Sequence, residues 1–218
     1  MQTDYCTRPA DGEDFGKDVE TRDAMNAEMG WPVGTAYRGI LADKDGTLVD
    51  RLEGAWSYDF SRGAEEGLGL LGRYRLPVHV VSNQGIVGAG LSSLEDVERG
   101  FKKLVDDARD RFNVNMGYSF CPHDPAAGCL CRKPKATMLQ DVVKGYGWWT
   151  HAYMIGDGHD DIQAGKAAGA TSLLVETGIG RKYPHDKGPA PDGVFPDFSR
   201  AAEWIVEGIE GIWGDIDE

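Results

Sequence analysis

Gly39-Ile40-Leu41-Ala42-Asp43-Lys44-Asp45-Gly46-Thr47-Leu48 is the stretch on which the reading of this chain turns. A short apolar run reads as a buried strand, and two carboxylates and a glycine stand where that strand ends. In open α/β sheets, ligands bind in the crevice outside the carboxyl ends of the strands. Aspartates spaced i, i+2 face one crevice if the backbone turns between them, and Gly46 permits such a turn. Taken alone, Asp-x-Asp-Gly-Thr is also the chemistry of a plain turn or a helix cap. A calcium loop opened by Asp43 needs a glutamate at its position 12. That position holds Gly54, so the calcium reading fails. Beside the plain turn stands a reading that pairs Asp43 as a nucleophile with Asp45 as a general acid and base, a division of labour suited to phosphoryl transfer through an aspartyl-phosphate, and the rest of the chain decides between the two.

Other apolar runs outward from this one repeat the arrangement. Strands are expected at Arg38–Ala42, Pro77–Val81, Val114–Phe120, Ala152–Ile155 and Ser172–Val175, with a short edge strand at Val194-Phe195. Helical spacing of apolar residues marks Ala64–Tyr74, a helix from Ser92 or Ser93 through Ala108, Thr137–Lys144 stopped by Gly145, Asp160–Ala168 stopped by Gly169, and Ser199–Ile212. Strands alternating with helices imply right-handed parallel crossovers. The expected fold is therefore α/β: a Rossmann-like, doubly wound, mostly parallel sheet with helices on both faces. Residues 1–34 lack periodicity and read as an acidic, irregular or partly disordered arm, with a short helix near Asp23–Met29. Residues 35–218 read as one catalytic domain.

Three further strand exits carry polar chemistry. Ser82-Asn83-Gln84-Gly85 offers a hydroxyl, an amide and backbone N–H groups to phosphate oxygens. Gly156-Asp157-Gly158-His159-Asp160-Asp161 puts Asp157 at a strand end and Asp161 one helical turn later. Asp157 suits direct ligation of Mg²⁺, a hard cation that prefers carboxylate oxygens and keeps several waters, and Asp161 suits a supporting place beyond it. Arg132-Lys133-Pro134 supplies cations for a phosphoryl group, with Lys133 as a point charge and Arg132 as a fork.

Cysteine usage adds a second metal. Cys121-Pro122-His123 and Cys129-Leu130-Cys131 give C-x-H-x5-C-x-C, and three thiols and an imidazole make a closed tetrahedral Zn²⁺ set of structural type. The loop between them has little apolar content, so metal ligation is what would fold it. Cys6 stands apart in the arm.

Composition bounds the partners. The chain has 218 residues, 41% hydrophobic and 27% charged, and a net charge of −13. Such an acidic balance disfavours nucleic acid and anionic membrane surfaces as partners. No apolar run approaches the ~18 residues needed to span a bilayer, and the polar start resembles no export or transit signal. The expected setting is the cytoplasm, the expected state a monomer, and the expected partner a small phosphorylated metabolite.

Together, Asp43-Lys-Asp-Gly-Thr-Leu, Ser82-Asn-Gln, Cys-x-His…Cys-x-Cys-Arg-Lys-Pro and Gly156-Asp157-x-x-x-Asp161 resemble the haloacid dehalogenase (HAD) superfamily. More narrowly, the chain is similar to its zinc-containing subfamily of heptose-bisphosphate and histidinol-phosphate phosphatases, over roughly Tyr37 to Ile212. The resemblance implies a magnesium-dependent phosphatase of small metabolites such as sugar phosphates. It implies Asp43 as nucleophile, with Asp45 protonating the leaving oxygen and then activating water. It also implies Ser82 and Lys133 on the phosphate, and Mg²⁺ held by Asp43, the backbone carbonyl of Asp45, and Asp157. Two competing functions share parts of this pattern: a polynucleotide end phosphatase, and a non-catalytic module that binds phosphorylated ligands.

Overall fold

A computed structural model describes residues 38–51, 57–147, 151–182 and 188–214 of the chain. The expected arm, its short helix and Cys6 lie outside the described residues. Thirteen elements follow in order: β1 (Arg38–Ala42), β2 (Val49–Arg51), β3 (Tyr58–Phe60), α1 (Ala64–Arg73), β4 (Val78–Asn83), α2 (Leu94–Phe112), β5 (Met116–Cys121), α3 (Thr137–Tyr146), β6 (His151–Gly156), α4 (His159–Ala168), β7 (Thr171–Val175), β8 (Gly193–Phe195) and α5 (Phe198–Gly214).

Six of the strands form one sheet in the order β5-β4-β1-β6-β7-β8, every pairing parallel. The chain winds outward from β1 through β4 to β5, then returns to the other side of β1 at β6. The switch point therefore falls beside β1, where crevice formation is expected. Side chains of β1 alternate between faces. Ile40 and Ala42 pack with Leu68 of α1, Phe101 and Leu104 of α2, and Phe198 and Ile205 of α5. Leu41 packs on the opposite face with Met138 and Leu139 of α3 and Ala164 of α4. Helices thus cover both faces, and the doubly wound expectation holds.

Element ends differ from the sequence reading in instructive ways. β4 and β5 both extend past their expected ends because they pair with each other there: Ser82 lies opposite Phe120, and Asn83 opposite Cys121. Ser93, not Ser92, caps α2, its hydroxyl accepting from the Asp96 N–H at 3.1 Å. Gly169 stops α4 as expected, at φ 80°. Gly145 does not stop α3. It is buried within the helix, which runs on to Tyr146 and ends at Gly147, at φ 75°. The extra turn lets the Tyr146 ring pack 5.5 Å from that of His79, so Gly145 serves close packing rather than termination.

Sequence reading passed over the antiparallel hairpin β2–β3, in which Val49 faces Phe60 and Arg51 faces Tyr58. It leads directly from the Asp43 loop and is fastened to α2. The Tyr58 hydroxyl donates to Asp107 at 2.5 Å, and the Lys103 ammonium lies 4.7 Å from the centre of the Tyr58 ring. Burial and the Asp107 carboxylate raise the Tyr58 pKa, so the phenol keeps its proton.

Candidate active site

Asp43 leaves β1 with its backbone N–H still on the ladder, donating to the Ile155 carbonyl of β6 at 2.9 Å. The backbone then turns at Gly46, where φ is 88°. A Cβ at Gly46 would come within 2.5 Å of Asp157 Oδ2, and one at Gly178, in the loop after β7, within 2.0 Å of the same atom. Glycine at both positions is what allows two loops to close on the Asp157 carboxylate. Asp157 is held there by the Ile179 N–H, which donates to Oδ2 at 2.8 Å, and by the Thr47 hydroxyl, 3.5 Å from Oδ1.

Lys133 is the hub of the crevice. It is 2% exposed, and its ammonium donates to Asp43 Oδ1 at 2.6 Å, Asp161 Oδ1 at 2.7 Å and the Val81 carbonyl at 2.6 Å. All three N–H donors are therefore used, as a buried ammonium requires. Asp161 is fixed in turn by the Gly158 N–H, which donates to its Oδ2 at 2.9 Å across the first turn of α4. Asp161 thus links the Lys133 ammonium to the first turn of α4.

Carboxylate oxygens of Asp43, Asp157 and Asp161 lie within 4.8 Å of one another, and all three residues are buried. Asp43 and Asp161 share one ammonium, and the crowding shows in the ionisation of Asp43 and Asp157. Burial pushes Asp43 up to about 7; Lys133 pulls it back, while Asp161 and Asp157 push it further up. Burial likewise raises Asp157 to about 6, with Asp161 adding to the effect. For Lys133, burial favours the neutral amine, but Asp161 and Asp43 outweigh it and raise its pKa, keeping it charged. An all-oxygen donor set with surplus negative charge fits a hard divalent cation.

Asp45 points to a different side of the same pocket. Its Oδ1 is paired with the Lys44 ammonium, and its Oδ2 accepts from Gln84 Nε2 at 2.9 Å. The same Gln84 nitrogen donates to Ser82 Oγ at 2.9 Å. Ser82 is buried at the carboxyl end of β4. The Asn83 side chain accepts from the Lys133 N–H at 3.0 Å and donates to the Lys133 carbonyl at 2.9 Å, so it ties the end of β4 to the lysine's backbone. Arg132 is half-buried beside this group; its Nη1 lies 3.5 Å from the His123 carbonyl and covers Gly85.

The four donors of the cysteine loop also come together. His123 Nδ1 is 3.6 Å from Cys121 Sγ and 3.4 Å from Cys131 Sγ, and Cys129 Sγ is 3.5 Å from Cys121 Sγ. One atom from each lies within 4.8 Å of all the others, the footprint of a metal site. Burial pushes the Cys121 thiol up to about 11, with the nearby Cys129 sulfur adding to it. The intervening turn is set by Asp124, whose side chain accepts from the Ala126 N–H at 2.8 Å.

Comparison with known proteins supplies the family. A model of HAD-hydrolase-like proteins matches residues 130–201. A D-glycero-β-D-manno-heptose-1,7-bisphosphate 7-phosphatase of Neisseria meningitidis is 31% identical over 179 residues, covering 77% of this chain and 94% of that protein. The enzyme of the same description from Bordetella bronchiseptica is 38% identical over 180 residues, covering 77% of this chain and 97% of its own. The chain belongs to the HAD-type phosphatases. Among solved structures of this family, the D,D-heptose 1,7-bisphosphate phosphatase of B. bronchiseptica, complexed with magnesium and phosphate, superposes with a TM-score of 0.71 at 26% identity, covering 78% of this chain and 99% of that one. A Burkholderia thailandensis counterpart at 22% identity and TM-score 0.56 shares the fold.

Three residues of this HAD-type pocket escaped the sequence reading. Lys44 and Thr47 lie inside the opening motif but carried no assignment, and Gln84 was legible only as part of a polar turn. No helix among the described residues is long and apolar enough to cross a membrane.

Proposed function

We propose that this phosphatase is a Mg²⁺-dependent phosphomonoester hydrolase that works through an aspartyl-phosphate on Asp43. Its substrate is a small sugar phosphate, with a sugar bisphosphate the first candidate. The observation that carries the reading is the Asp43 carboxylate held against the buried Lys133 ammonium among two further buried acids.

Mg²⁺ would be held by Asp43, the backbone carbonyl of Asp45, and Asp157. When bound, it offsets the surplus carboxylate charge and screens the incoming phosphoryl oxygens. The positive charge of Lys133 beside Asp43 attracts the phosphoryl group, and the Ser82 hydroxyl helps hold it in line with Asp43 Oδ. Attack by Asp43 forms the acyl-phosphate bond as the bond to the leaving oxygen breaks, and that oxygen takes a proton from Asp45. Asp45 then removes a proton from water, whose oxygen attacks phosphorus and restores the Asp43 carboxylate with release of phosphate. Positioning and charge stabilisation carry most of such a reaction.

Zn²⁺ is the proposed occupant of the Cys121, His123, Cys129 and Cys131 set. Its role is structural, because four protein donors leave no open position. Fixing this loop fixes Lys133, two residues beyond Cys131. The names of the relatives support a sugar bisphosphate, and the acid composition supports a small cytoplasmic metabolite acted on by a monomer.

The test is inorganic phosphate release in the presence of Mg²⁺ across a panel of phosphorylated sugars, nucleotides and amino-alcohols. Turnover of a sugar phosphate by wild type and none by Asp43→Asn is expected. Equal release by both proteins would end the proposal.

A further inference from the structure

We infer that Gln84 is a positioning residue that fixes the acid–base carboxylate of Asp45, with its own amide anchored on Ser82. The inference rests on the aspartyl-phosphate reading above and adds to it a residue with no assigned role.

The hydrogen bonds settle which way the Gln84 amide faces. Asp45 as a carboxylate only accepts, so the amide nitrogen must face it. The NH₂ group has two hydrogens, and two acceptors stand at 2.9 Å: Asp45 Oδ2 and Ser82 Oγ. Both donors are therefore committed. Ser82 Oγ anchors the amide on the β4 side. The consequence for Asp45 is orientational. Its side chain is 34% exposed and short enough to turn in water, whereas Gln84 is 2% exposed and cannot follow it. Lys44 holds the other carboxylate oxygen, but from the adjacent position on the same turn. Gln84 reaches Asp45 from the turn after β4, and its own backbone N–H donates to the Cys121 carbonyl at 2.8 Å, at the root of the cysteine loop. The amide is thus braced from behind, as a group that orients a catalytic side chain needs to be.

A hydrogen bond to a charged group that is aligned for reaction accounts for roughly tenfold to a hundredfold in rate. Two variants test the inference: Gln84→Leu, which removes both donors, and the isosteric Gln84→Glu, which keeps the packing and is used if the first does not fold. The probe is p-nitrophenyl phosphate at saturating concentration, followed through the first turnover and into the steady state. Its leaving group departs without needing a proton, so Asp45 is required only for the attack of water. The first-turnover rate is expected within ~fivefold of wild type, while steady-state phosphate release falls ~10- to 100-fold and phosphoenzyme accumulates. In an Asp45→Asn background, Gln84→Leu is expected to add less than ~threefold, since its effect runs through the missing carboxylate.

Steady-state release unchanged in both variants would overturn the inference. So would a first turnover that falls by the same factor as the steady state, because Gln84 would then act on the nucleophile or on the fold. A full multiplicative loss in the Asp45→Asn background would overturn it as well. If wild type and Asp43→Asn turn over alike, the underlying phosphatase reading fails instead, and the two failures are told apart.

Discussion

The crevice and the cysteine loop gather metal-type donors by opposite routes. The loop draws all four donors from eleven consecutive residues, and one turn set by Asp124 brings them together. The crevice draws on the exits of β1, β4 and β6 and on Lys133, so its side chains meet only because the sheet is already built. A local site can be read from spacing and falls apart when its metal is lost. An assembled site is held by the fold beneath it and carries surplus charge that the fold must tolerate. This contrast predicts that crevice substitutions cost activity first, and loop substitutions cost stability first.

The sharpest break comes from Asp43→Asn. Activity is expected to fall by at least on the order of a thousandfold. The metal-free variant is expected to melt at or above the wild-type temperature, because one of three crowded acids is gone. A loss of both activity and stability would erase the contrast. Next in size is Cys129→Ser. It is expected to lose the zinc proposed for this loop, measured by metal analysis under reducing conditions, and with it several kcal/mol, seen as a drop on the order of 10 °C in melting midpoint. Residual activity in the cold is expected, since Asp43 and Asp157 do not depend on the loop. Unchanged melting would show that the loop folds without its metal.

His79, inside β4 and away from both metal-type sites, offers a control for the comparison. It is 1% exposed, its Nε2 is 2.9 Å from Ser119 Oγ, and its Nδ1 has no hydrogen-bond partner among the described residues. Burial lowers its pKa from 6.5 to about 3. The unfolded chain binds a proton at this position below 6.5 and the folded one does not, so stability is full above 6.5 and is lost as pH falls toward 3. At pH 5 the loss from this group is about 2 kcal/mol. Denaturant melts at pH 7 and pH 5 check it: His79→Leu should remove that much of the pH dependence, and an identical slope in both proteins would rule it out. The smallest effect is expected in Tyr58→Phe, which deletes the bond to Asp107 and should cost ~1 kcal/mol with faster hydrogen exchange in β2 and β3.

The same contrast explains what could be read in advance. The cysteine set and the Asp43 motif were legible because their chemistry lies in consecutive residues, and the parallel sheet followed from the alternation of apolar runs. Gln84 and Asn83 were not separable in sequence, since both look like donors in a polar turn. Only the extension of β4 alongside β5 shows that Asn83 turns to the Lys133 backbone while Gln84 turns to Asp45. The hairpin was missed because its strands are three residues each and mix charged with apolar side chains. Gly145 misled because a glycine excused by close packing and a glycine that ends a helix have the same letter; only the positive φ at Gly147 tells them apart.

Asp43 as the atom acceptor of the phosphoryl group is the claim on which the rest depends. Wild-type protein with Mg²⁺ and a turned-over sugar phosphate, quenched in acid during the first turnover and digested, puts it to the test by peptide mass. One phosphoryl group on the peptide at Asp43, absent in Asp43→Asn, is the predicted result; a protein that releases phosphate while that peptide never carries one would contradict it.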